Sequence, residues 1–91
     1  MKWVIAYDVR RDRDRRRIAR RLEQVGFRRQ KSVFEGEAAP AGIAALLDEL
    51  AVFLQEEHDR LTAWPMTENG PAHIEHRGQP RPRTHQDWLI L

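Results

Sequence analysis

The chain has 91 residues and no cysteine, which bounds it to one small domain without disulfides or a thiolate metal site. So small a core leaves a thin stability margin, and dimerisation is expected to add to it. The net charge of +2 hides an asymmetry: from Arg10 to Lys31 eleven basic residues face three acidic ones, a balance of +8, while the remainder nets −6. A basic field of that density attracts polyanions.

Lys2 to Asp8 reads as a buried strand, because β-branched and aromatic residues dominate it and a polar turn follows. Its apolar run, Trp3 to Tyr7, is far too short for a signal-peptide core or a membrane span, so a cytoplasmic protein with no membrane partner is expected. Asp12 or Asp14 can cap the helix that follows. Ile18, Leu22 and Val25 then form one narrow apolar stripe on an arginine-covered helix, which Gly26 ends as a left-handed cap.

Phe27 to Glu37 favours extended structure and reads as a short bent hairpin or one kinked strand. Ala38 to Gln55 is the second helix, with Pro40 in its first turn and Ile43, Leu46, Leu47, Leu50, Phe53 and Leu54 on its apolar face. Leu61 to Trp64 is a strand that Pro65 ends. Ala72 to His76 reads as a further short strand, and Gly78 to Arg83 as an extended linker.

This order predicts an α+β fold on the ferredoxin-like plan, βαββαβ, with an antiparallel sheet and both helices on one face. Residues 1–77 form that domain. Residues 78–91 are expected to be a linker and a C-terminal strand, Trp88-Leu89-Ile90-Leu91, that adds to the partner subunit's sheet edge.

Asp8 stands at the carboxyl end of the first strand, where ligand sites gather in sheets flanked by helices. It either caps the turn or serves phosphodiester chemistry by holding a Mg²⁺-type ion. One carboxylate per chain is a weak cage, and two copies across a two-fold axis are a better one. On the helix, Arg13, Arg16, Arg17, Arg20 and Arg21 repel one another at helical spacing. That repulsion implies a counter-charge: nucleic-acid phosphates on Arg13, Arg16, Arg20 and Arg21, or internal partners in Glu35, Glu37 and the acidic second helix.

His73, His76 and His85 match no strong zinc spacing. Trp3, Trp64 and Trp88 read as core or interface anchors. No glycine-rich phosphate loop and no nucleophile–histidine set suited to covalent catalysis is present.

Tyr7-Asp8-Val9, Arg15-Arg16-Arg17-Ile18, Leu22-Glu23-Gln24-Val25-Gly26 and the block Arg28-Arg29-Gln30-Lys31-Ser32-Val33-Phe34-Glu35-Gly36 together resemble a known family. It is the second of the two universal CRISPR-associated core proteins, a small adaptation-stage protein also described as an endoribonuclease. The likeness is dense over residues 3 to 37. Beyond them it rests on length and strand order.

The resemblance implies a homodimer in which the two Asp8 side chains bind Mg²⁺ or Mn²⁺ for phosphodiester hydrolysis. Tyr7, Arg15, Arg17, Arg28 and Phe34 match further positions implicated in activity, with Arg28 counted back from Ser32-Val33-Phe34. It also implies a scaffold that bridges two dimers of the CRISPR integrase, the first core protein. In that role the basic surface holds a duplex DNA prespacer; in the nuclease role the substrate is single-stranded RNA. The alternative is a toxin-like, metal-dependent ribonuclease of related fold.

Overall fold

The computed structural model describes residues 1–66 and 74–80. Its elements are β1 (Lys2–Asp8), α1 (Asp12–Val25), β2 (Gly26–Gln30), β3 (Val33–Glu37), α2 (Pro40–Ala51), β4 (Arg60–Pro65) and β5 (Glu75–Gly78). The sheet order is β2-β3-β1-β4-β5, and every neighbouring pair is antiparallel. The first six elements of the sheet and its helices are the expected ferredoxin-like βαββαβ; β5 adds one strand beside β4. The expected tail strand at Trp88 to Leu91 lies outside the described residues.

β1 is central because it is the most continuously apolar strand, and its alternation sorts the two faces of the sheet. Trp3, Ile5 and Tyr7 join Phe34, Leu61 and Ala63 in one buried cluster with Ile18 and Leu22 of α1 and Ile43, Leu46, Leu47 and Leu50 of α2. Both helices therefore cover the same face. Val4, Ala6 and Asp8 belong to the other. Leu47 and Leu50 are fully buried, so trimming either to alanine costs about 2–5 kcal/mol.

Five local expectations are corrected. The residue at the start of α1 is Arg11, with no side-chain cap, and Asp12 and Asp14 lie inside the first turn, where their charge opposes the positive helix end without capping it. Val25 is 38% exposed, and Ala19 is buried in its place, so the buried stripe turns earlier than the sequence spacing indicates. α2 stops at Ala51, short of Gln55, with Phe53 and Leu54 packing against the core from beyond its end. β5 is Glu75–Gly78, later than the Ala72 to His76 stretch.

Gly26 is the fifth correction. It is extended, with φ −163° and ψ −160°, and it opens β2. Its lack of a side chain serves close packing: Gly26 faces Gly36 across the β2–β3 hairpin, and a Cβ on Gly26 would lie 2.1 Å from the carbonyl oxygen of Glu35. The hairpin reading of Phe27 to Glu37 is correct. A register shift between Arg28 and Gln30 bends it, and the amide of Tyr7 donates to the Ser32 carbonyl at 3.1 Å, which ties the hairpin turn to the end of β1.

Candidate functional site

β1 delivers Asp8 to the rim of the sheet, in register with Arg60 of β4. Arg60 Nη2 donates to Asp8 Oδ2 at 3.3 Å, and the Asp8 side chain is 66% exposed. An ion pair that open contributes little to stability. The carboxylate is thus free to exchange its partner for a ligand.

Beside it opens a cleft of roughly 570 Å³ lined by Tyr7, Asp8, Val9, Arg15, Arg16, Ala19, Arg28, Lys31 and Ser32. One carboxylate faces four cationic side chains there, an arrangement suited to a phosphodiester that meets an acidic group at one end. Behind the cleft, the Tyr7 and Phe34 rings stack with centroids 6.3 Å apart, and the Arg28 guanidinium lies 5.2 Å from the Phe34 centroid. Burial pushes the Tyr7 phenol above its ordinary range, against the opposing pull of Arg28 and Arg15. Tyr7 is therefore a neutral donor at physiological pH, and its hydroxyl points to the Lys31 carbonyl at 3.4 Å.

Of the residues expected at the site, Tyr7, Asp8, Arg15, Arg16 and Arg28 come together around the cleft, with Phe34 supporting Arg28. Arg15 is largely occupied. Its Nη1 donates to the carbonyls of Val9 at 3.2 Å and Arg10 at 3.3 Å, and its Nη2 pairs with Asp12. It braces the turn after Asp8 as much as it charges the cleft.

Arg17 lies elsewhere, with its guanidinium 5.5 Å from the Phe53 centroid, next to the end of α2. Arg21 is held by Glu49 of α2 at 2.6 and 3.3 Å, and Arg29 by Glu35 at 3.6 Å. For those two the internal partners supply the counter-charge. Arg13, Arg16 and Arg20 are exposed and have no ion pair among the described residues, so α1 presents a row of unneutralised cations.

Several residues at this end of the sheet escape sequence reasoning. Lys31 and Ser32 line the cleft because the hairpin folds back on β1. Arg60 reaches Asp8 from 52 positions away, a contact that only strand register can reveal. Asp59 is fully buried and accepts the amide N–H groups of Arg10 at 3.1 Å and Gln55 at 2.9 Å, with His58 Nδ1 at 2.7 Å. Burial alone would raise its pKa, but those hydrogen bonds outweigh it and hold the carboxyl below the usual carboxylate value. The one signal in the sequence is an acid set directly before strand β4.

A hard dication takes six or more oxygen ligands, and Mg²⁺ typically uses one or two carboxylates plus water and phosphate oxygens. Among the described residues no three His, Cys, Asp or Glu side chains cluster as a metal cage. The donor set of one chain is thus a single carboxylate, which fits Mg²⁺ or Mn²⁺ only if a second Asp8 joins it. His76 is engaged otherwise, between the Thr62 hydroxyl at 2.7 Å and the Gln79 carbonyl; His73 and His85 lie outside the described residues.

The sequence model of the family described as CRISPR associated protein Cas2 matches residues 1–73. This chain belongs to the Cas2 family. A Synechocystis protein named CRISPR-associated endoribonuclease Cas2 3 is 35% identical over 78 residues, covering 86% of this chain and 85% of its own. A Chlorobaculum tepidum protein named CRISPR-associated endoribonuclease Cas2 is 32% identical over 96 residues, with both chains covered in full. The crystal structure of Streptococcus pyogenes Cas2 at pH 6.5 superposes with a TM-score of 0.66 at 26% identity, covering 76% of this chain and 89% of that one.

The Cas2 match takes in the whole cleft, both flanking helices and β4, so every described residue that bears on Asp8, apart from Pro80 and Gln79, falls within it. Among the described residues no helix is long and apolar enough to cross a membrane.

Proposed function

We propose that the chain is a metal-dependent endonuclease of nucleic-acid phosphodiesters that works as a homodimer, and that its basic helix makes it a nucleic-acid-binding scaffold in CRISPR adaptation. The observation that carries the nuclease reading is the cleft in which Asp8 is the sole carboxylate among Arg15, Arg16, Arg28 and Lys31. Relatives that align along the whole chain bear the name endoribonuclease, which favours RNA as substrate. In this reading Arg16, Arg28 and Lys31 hold the phosphate, Tyr7 donates without ionising, and Arg15 fixes the turn that carries Asp8. A Mg²⁺ or Mn²⁺ ion held by Asp8 supplies, when bound, a more acidic water and neutralises phosphate charge. Two chains meeting at the rim where Asp8 is exposed would bring a second Asp8 to the same ion.

Asp8→Asn tests this: metal-dependent cleavage of single-stranded RNA is expected to vanish while thermal stability and nucleic-acid affinity persist. Cleavage that survives in highly purified protein would sink the nuclease reading. The scaffold reading stands separately on the unpaired row Arg13, Arg16 and Arg20. Duplex prespacer DNA is its expected ligand and the CRISPR integrase dimers its expected protein partners, the tail from residue 78 making that contact. A spacer-acquisition assay separates the two roles: a scaffold tolerates Asp8→Asn and fails when Trp88 to Leu91 are deleted.

A further inference from the structure

We infer that Asp59 is a positioning residue for the Asp8 site, an inference that rests on the metal-dependent nuclease reading above. A carboxylate with no exposure to solvent is costly unless its lone pairs are all engaged. Those of Asp59 are. Oδ1 accepts the Arg10 amide at 3.1 Å and faces His58 Nδ1 at 2.7 Å, and Oδ2 accepts the Gln55 amide at 2.9 Å.

What these bonds hold is the segment on which Asp8 depends. Arg10 stands two positions past Asp8, and its amide is fixed by Asp59 while its carbonyl, with that of Val9, is fixed by Arg15. The turn is gripped from both sides. Asp59 acts on the opposite flank as well: its backbone carbonyl accepts the Gln79 amide at 2.9 Å. The next residue, Pro80, offers its carbonyl to Arg60 at 3.2 Å, and Arg60 reaches Asp8. Asp59 thus joins the β1–α1 turn, the turn before β4 and the end of β5 around one exposed carboxylate.

His58 completes the clamp. Its ring nitrogen Nδ1 carries the hydrogen, because the ionised Asp59 oxygen opposite can only accept. Its Nε2 has no partner, and no buried side-chain nitrogen or oxygen among the described residues lacks one, so Nε2 reaches solvent.

The test compares Asp59→Asn, His58→Ala and Asp8→Asn in the full chain, using Mn²⁺ as the probe. Asparagine offers one acceptor oxygen where two amides converge, so either the Arg10 or the Gln55 bond goes. Removal of an outer support of this kind is expected to weaken Mn²⁺ affinity about tenfold or more. The kcat on a labelled RNA oligonucleotide falls in step, KM stays within about twofold, and the Arg10 or the Gln55 amide exchanges faster with deuterium.

A folded Asp59→Asn that exchanges faster at Arg10 or Gln55 yet binds Mn²⁺ and cleaves like wild type overturns the inference, leaving Asp59 a purely structural anchor. If Asp59→Asn does not fold, His58→Ala decides. That variant keeps both amide bonds, so a smaller loss of Mn²⁺ affinity in the same direction supports the clamp, and no loss refutes it. Asp8→Asn is expected to lose Mn²⁺ binding altogether. Should it bind Mn²⁺ like wild type, the metal reading of Asp8 falls, and the Asp59 role falls with it for a different reason.

Discussion

Gly26 and Asp59 constrain the fold in ways their neighbours in the sequence do not reveal. A methyl group on Gly26 meets backbone, the Glu35 oxygen at 2.1 Å and its carbon at 2.9 Å, and backbone cannot step aside as a flexible side chain does. Gly26→Ala is therefore expected to lower stability by about 3 kcal/mol or more in urea unfolding, and Gly36→Ala, with its nearest contact at 2.9 Å, by less. Asp59 makes stability depend on pH. Its folded-state pKa lies below the ordinary 3.8, so the unfolded chain binds the proton more readily. The contribution is complete above about pH 4 and lost as pH falls through the lowered folded value. The gap in urea midpoint between wild type and Asp59→Asn should stay constant from neutral pH to about pH 4 and narrow below it. A gap that widens on acidification would refute this. Asp8 and the arginines are legible in the sequence because each contrasts with its immediate neighbours. Asp59 and Arg60 are not, because their meaning comes from contacts about fifty positions away.

At the scale of elements, α1 is the one whose sequence speaks most directly to function. Its buried side, Ile18, Ala19 and Leu22, anchors it to the sheet. Its outer side keeps Arg13, Arg16 and Arg20 unpaired at spacings that cost a helix about 0.2–0.5 kcal/mol per like-charged pair. Replacing all three with glutamine should leave the melting temperature unchanged or slightly higher. The same change should weaken duplex binding and flatten the dependence of log affinity on log salt by about 0.9 for each phosphate that is no longer neutralised. An unchanged slope would place the phosphates elsewhere. Strand and helix order is readable throughout, since period-2 and period-3.6 patterns do not overlap in this chain. Element ends are less so. A glycine after a helix suggests a left-handed cap, whereas at the end of α1 the need for it arises from Gly36 across the hairpin.

On the whole molecule the charges separate into two sides. No lysine or arginine occurs between Ser32 and Asp59, and α2 offers Asp48 and Glu49 to Arg77 and Arg21. In the proposed reading a polyanion approaches from the α1 and cleft side, and a second chain meets this one at the rim where Asp8 is exposed. On the proposed metal-dependent reading, a single carboxylate lining the cleft of each chain makes the activity a property of the pair. If both Asp8 copies share one ion, a dimer holding a single Asp8→Asn chain should be as inactive as one holding two. Mixing wild type with Asp8→Asn in equal amounts, after unfolding and refolding to randomise subunits, should then leave about a quarter of the wild-type rate at constant total protein, the fraction of dimers with both carboxylates. If each subunit cut on its own, about half would remain. A result at one half would reassign the site to the single chain, with Asp8 supported only by the cleft beside it.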